Sequence, residues 1–147
     1  MTTPQDFDQT KSVTPVLPGH RTDKLAVQHI ADETMLYDED VHKAYLLNPV
    51  ADAVWNACDG ASTPAQIAAA ATFTLQRPVS EDLVHFTLTE LRRDNLLKPD
   101  EALQLLPVIE RRELLRRLGM AAVLLPVIAM VATPAAAQAY SGGAYSD

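Results

Sequence analysis

The chain has 147 residues and a formal net charge of −7. That length holds one ordinary domain with appendages, and the acidic balance argues against bulk nucleic-acid binding, which needs Lys and Arg clustered against phosphates. One cysteine, Cys58, excludes a disulfide within the chain and fits a reducing compartment.

Residues 1–23 are polar, carry Pro4, Pro15 and Pro18, and show no hydrophobic period or signal-like apolar core. They read as a disordered or loosely docked arm, with order starting near Lys24. Leu25 to Ile30 alternates with the period of a strand, and Glu33 to Tyr37 continues it after a turn at Asp32–Glu33. Asp38-Glu39-Asp40 reads as a solvated hairpin turn rather than a cation site. A third strand then runs from His42 to Leu47. Two hairpins in a row predict a three-stranded antiparallel meander with one wet and one covered face.

Asn48 suits an N-cap and Pro49 the first helical position. The first helix runs to about Cys58, a thiol expected to be buried as a small hydrophobe, and Asp59-Gly60 ends it. Thr63 or Ser62 caps a second helix that runs to about Leu75, with Gln66 three residues beyond Thr63. Ser80 caps a third, with Glu81 and Asp82 set against its dipole. Leu83, Val84, Thr87, Leu88 and Leu91 form its core stripe. His85, Phe86, Thr89, Arg92 and Arg93 fall on the other side. Phe86 there is either a surface side chain, one covered by the arm, or an apolar contact for a partner. Leu96-Leu97-Lys98-Pro99 closes the domain as a short strand. The fold class is α+β: a small winged-helix-like domain with three strands and three helices over residues 24–99.

Catalytic chemistry is not legible. His20, His29, His42 and His85 lack metal-site spacing, Cys58 has no Cys partner, and the chain has no phosphate-binding glycine loop. The expectation is no enzyme, no metal and no cofactor.

The stretch "DETMLYDEDVHKAYLLNPVADAVWNACDGASTPAQIAAAATFTLQRPVSEDLVHFTLTELRRDNLL" resembles the PqqD-like family. The resemblance rests on the "YLLN" strand, the apolar helix with Trp55, "DGASTPAQIA" and "LTELRRDNLL", and covers about residues 24–98. It implies a non-catalytic recognition domain for ribosomally made, post-translationally modified peptides. Such domains hold a precursor's leader peptide as an added strand on the third strand, beside the third helix. They then present it to a modifying enzyme, often a radical-SAM enzyme with its own iron–sulfur clusters. An open sheet edge is physically suited to this role. Carried onto this sequence, the edge is His42, Lys43, Ala44, Tyr45, Leu46 and Leu47. The groove wall is His85, Phe86, Thr89, Arg92 and Arg93. The two arginines either pair with acidic leader residues or simply complement the helix dipole.

Residues 100–118 read as a linker and basic helix interrupted by Pro107, with arginine pairs at Arg111–Arg112 and Arg116–Arg117. Residues 119–139 are uncharged and expected to be a hydrophobic C-terminal helix, and 140–147 a flexible tail carrying the repeat "AYSGGAYS". Three readings of this end stay open. It is a membrane anchor that keeps the domain cytoplasmic, since the arginines precede the apolar run. It is a twin-arginine-like export or processing signal, with "AAAQA" as a cleavage site, although Glu110 departs from the usual Ser or Thr. Or it is a peptide substrate fused to its own recognition domain. From a different class comes the alternative of a winged-helix regulator that binds DNA through its third helix, against which the acidic core argues.

Overall fold

The structure is a computed structural model that describes residues 15–119 and 125–131. The remaining parts of the expected arm, apolar segment and tail lie outside the described residues.

Three strands form as expected: β1 (Leu25–Ile30), β2 (Glu33–Asp38) and β3 (Lys43–Leu47). β1 pairs antiparallel with β2 in the register Val27↔Leu36, and β2 with β3 in the register Leu36↔Tyr45. The first turn falls on Ala31–Asp32, one residue earlier than expected. Ala31 there takes a left-handed φ of 56°. His42 also has a φ of 56°, so it belongs to the second turn and not to β3. A left-handed residue cannot continue an extended ladder.

Three capped helices follow: α1 (Pro49–Ala57), α2 (Pro64–Leu75) and α3 (Glu81–Arg93). Asn48 Oδ1 accepts from the Ala51 amide, Thr63 and Gln66 form a reciprocal capping box, and Ser80 Oγ accepts from the Leu83 amide. Each cap satisfies an otherwise orphaned donor and contributes about 1 kcal/mol. Gly60 takes a φ of 79° just beyond α1, as the chain reversal there requires. α1 lies over β2 and β3 rather than over β1. Leu36, Leu47, Val54, Ile67, Leu83 and Leu91 therefore meet in one fully buried core, while Val27 on the same sheet face of β1 stays exposed. The expected dry face thus fades along β1, where only Leu25 stays buried.

Two features expected to be solvated or loose are built in. Asp38, read as part of a solvated turn, is only 1% exposed. Its carboxylate takes two hydrogen bonds from Arg21, at 2.7 and 3.2 Å. Arg21 is buried too, so a stretch assigned to the loose arm is docked. Around it, Gly19 bridges Asp59 and His20 bridges Leu97. The His20 ring stacks on Trp55 at 4.5 Å. Leu97 thus contributes a bridge rather than a strand. Cys58 is fully buried and its thiol is pushed up to about 12, mainly by desolvation.

Beyond the domain, a 3₁₀ turn (Glu101–Leu105) and α4 (Arg111–Leu118) flank Pro107, the break the sequence predicts. α4 packs Leu114 into the core, and Arg117 reaches Asp82 of α3 at 3.1 Å. The main correction concerns the expected C-terminal helix. Residues 128–131 of it form a fourth strand, β4 (Ile128–Val131), which completes a sheet of order β1-β2-β3-β4. Pro126 has no amide to give a helix, Val127, Ile128 and Val131 are β-branched, and β3 offers unpaired backbone groups. Among the described residues no helix is long and apolar enough to cross a membrane.

Candidate functional site

The site grows from one edge of β3. Antiparallel pairing lets alternate residues of a strand exchange hydrogen bonds with each neighbour. Tyr45 and Leu47 direct their side chains into the core, opposite Leu36 and Thr34 on β2. On the far side, β4 runs antiparallel to β3 with Ala44↔Val131, Tyr45↔Met130, Leu46↔Ala129 and Leu47↔Ile128 as partners. The alternation continues at Asn48, whose amide donates to the Val127 carbonyl at 3.0 Å. The β3 amides that face β4 are therefore those of Ala44 and Leu46.

Asn48 also holds the incoming segment with its side chain. Nδ2 donates to the Leu125 carbonyl and Oδ1 accepts from the Val127 amide, both at 3.0 Å. The same Oδ1 caps α1. One side chain thus fixes the start of a helix and the entry of an added strand. The sequence signalled only the first of these duties.

A groove runs between β4 and α3, lined by Phe86, Glu90, Arg111, Pro126, Val127 and Ile128. Pro126 is buried, and Ile128 packs partly buried against the core. The expected groove wall on α3 divides into two. Phe86 lies on the groove side with Glu90, which the sequence reading did not select, and Glu90 holds Arg93 through two contacts of 3.0 Å. Thr89 and Arg92 instead face the 3₁₀ turn, where Arg92 donates to the Leu103 carbonyl at 2.7 Å. His85 is buried, 3.5 Å from Glu81, and among the described residues nothing reaches its Nδ1. Phe86 is not the exposed contact that the helical period suggested. It is 4% exposed and belongs to the core. The period assumes burial on one side, whereas α3 is covered on both.

Lys43 is exposed at the opposite end of the edge. Nearby, burial first and then the charges of Asp94 and Asp38 push the Tyr45 phenol upward. His42 leaves the edge but shares a hydrogen bond of 3.1 Å with the Tyr37 hydroxyl. Among the arginines assigned to a signal or anchor, Arg111 lines the groove. Arg112 is exposed, while Arg116 and Arg117 are ion-paired with Glu113. Among the described residues no group of three or more His, Cys, Asp or Glu side chains could hold a metal ion.

The stretch from β2 through α3, which includes the β3 edge that β4 covers, has a counterpart among known families. Residues 33–97 match the family model of coenzyme PQQ synthesis protein D (PqqD). Over these residues the chain is similar to the PqqD family. The match starts at the first residue of β2 and ends at Leu97, just after the buried Leu96, so it holds the β3 edge and all of α3. No curated protein and no solved structure gives a match. Within the matched stretch, Asn48 at the strand edge and Glu90 in the groove are the site residues that sequence reasoning missed. Asn48 is hidden by its capping duty, and nothing in the local sequence singles out Glu90.

Proposed function

We propose that the PqqD-like domain binds a peptide as an added strand on β3 and presents it to a modifying enzyme during the making of a ribosomally synthesised, modified peptide. The role is recognition rather than catalysis. The observation that supports it is the β3 edge itself: an extended segment adds there in antiparallel register and seats an aliphatic side chain, Ile128, on the core beside α3. Backbone pairing supplies affinity without demanding a sequence, and the side-chain seats beside Phe86 and Glu90 supply selectivity. The edge residues are Lys43 to Leu47 with Asn48, and the wall residues are Phe86, Glu90 and Arg93. The modifying enzyme, of the radical-SAM kind that the family resemblance implies, brings its own cofactor.

The DNA-binding reading finds little to rest on. A recognition helix needs a free face to lay in the major groove. The run Leu83 to Leu88 of α3 is buried without interruption.

The test uses the full chain with Ala129→Pro, which frees the edge by removing one ladder amide at an exposed position. Titrating in a leader peptide of the cognate precursor should move the amide resonances of Ala44, Leu46 and Asn48. If saturating leader leaves all three unmoved, the strand-addition site is wrong.

A further inference from the structure

We infer that this chain carries the ligand of its own strand-binding site: residues 125–131 are the peptide that the PqqD-like domain holds, bound in cis. The inference rests on the strand-binding reading of β3 and names the occupant. Three observations carry it. First, β4 is reached only after a long excursion through the 3₁₀ turn and α4, yet it returns to the one edge that a bound peptide would use. Second, the contact is more than a backbone ladder. Asn48 grips Leu125 and Val127 with both ends of its amide, at 3.0 Å each. Pro126 is buried in the groove that Phe86 and Glu90 line. Third, the segment suits a ligand better than a core strand. Ala129 and Met130 are exposed, and Ile128 is only partly buried. The central strand β2, in contrast, buries alternate side chains, Thr34, Leu36 and Asp38, while the other edge strand, β1, buries only Leu25.

Tethering explains why so few buried side chains suffice. A ligand on the same chain meets its site at an effective concentration on the order of millimolar. Weak intrinsic affinity then still keeps the site filled and excludes other peptides of similar strength. The consequence is that receptor and cargo are one polypeptide.

The experiment is amide hydrogen exchange by NMR on the full chain and on its Ala129→Pro variant. Ala44, Leu46 and Asn48 should exchange roughly tenfold or more slowly in the unaltered chain than in the variant. Tyr45 and Leu47, whose amides face β2, should be the same in both. A synthetic copy of Leu125–Val131 added to the variant should restore protection at Ala44 and Leu46. The same copy with Asp in place of the isoleucine should not. The inference is overturned if Ala44 and Leu46 exchange equally fast in both proteins. It is also overturned if the free peptide at saturation restores nothing, because β4 is then merely a strand of the fold. Neither result removes the strand-binding site, which fails only if the cognate leader also leaves the freed edge unprotected.

Discussion

Asn48 and Val127, far apart in sequence, bond each other reciprocally: the Asn48 amide donates to the Val127 carbonyl and the Val127 amide donates to Asn48 Oδ1, each at 3.0 Å. With Nδ2 on Leu125, this makes Asn48 the hinge point between the domain and the added strand. Asn48→Asp separates its duties. The carboxylate keeps both accepted bonds, and a negative charge suits the start of α1. It cannot donate to Leu125 and sets an oxygen against that carbonyl. The expected outcome is a melting temperature within a few degrees of the parent, with faster amide exchange at Ala129. Asn48→Ala should do more, losing the cap as well, at about 1 kcal/mol. Equal exchange at Ala129 in Asn48→Asp and the parent would remove Asn48 from the clasp.

The buried Arg21–Asp38 pair gives a prediction about acid stability. The Arg21 guanidinium holds the Asp38 carboxyl below its ordinary value, against the opposing effect of burial. A carboxyl with a depressed folded pKa adds stability above its unfolded value of about 3.9, and that stability is lost as pH falls through the folded value. Urea midpoints should therefore drop between neutral pH and pH 3. Asp38→Asn should flatten that drop. At neutral pH it should cost up to about 3–5 kcal/mol, because the buried Arg21 keeps only the exposed Asp40, 3.5 Å away, as a counter-charge. Arg21→Met with Asp38→Leu should cost less than Asp38→Asn alone, since no charge is stranded.

These two pairs mark where sequence reading reached its limit. The caps at Asn48, Thr63 and Ser80, the three strands and the α3 core stripe were legible because each is written in residues a few positions apart. Arg21 looked like part of a polar arm because nothing local says that Asp38 waits for it. Residues 125–131 looked like part of an apolar helix because composition alone cannot show an unpaired strand edge. Such an edge turns Pro126 and three β-branched residues toward extended structure. Phe86 was placed outside the core because a helical wheel knows one partner layer, and α3 has two.

Cys58 should behave as an inert thiol. It is fully buried, its Sγ lies 3.1 Å from the Val54 carbonyl, and its pKa is pushed up to about 12. The thiolate is the reactive form, so a thiol reagent at pH 8 should label the native chain negligibly and the urea-unfolded chain fully. Rapid labelling under native conditions would mean that the Trp55–His20 strap over this region opens readily.

Trp55 anchors that strap, and its loss can be scaled. Nε1 donates to the Leu96 carbonyl at 2.9 Å, and the same carbonyl also accepts the Arg21 amide at 3.0 Å. Trp55→Phe therefore leaves no orphaned acceptor, and the hydrogen-bond loss should be about 1 kcal/mol. The smaller ring also gives up part of the stack on His20. The total should reach about 2 kcal/mol by denaturant melts followed by circular dichroism, since the only tryptophan is gone. A cost near zero would show that the Pro18–Arg21 segment is not held from this side.

Phe86 and Ile128 give the sharpest test of how the added strand is seated. Both line the groove beside α3, and Phe86 is buried while Ile128 is only partly so. Phe86→Ala should cost about 3–5 kcal/mol, the range for a buried phenylalanine. Loss of peptide binding in that variant would then be hard to separate from loss of fold. Phe86→Leu is the gentler probe, and Ile128→Ala removes the other side of the contact. If the two side chains share one seat, the double variant should cost less than the sum of the singles, with a coupling of about 0.5–1 kcal/mol. A coupling indistinguishable from zero would mean that Phe86 serves only the core and that Asn48 and the backbone ladder hold the strand without it.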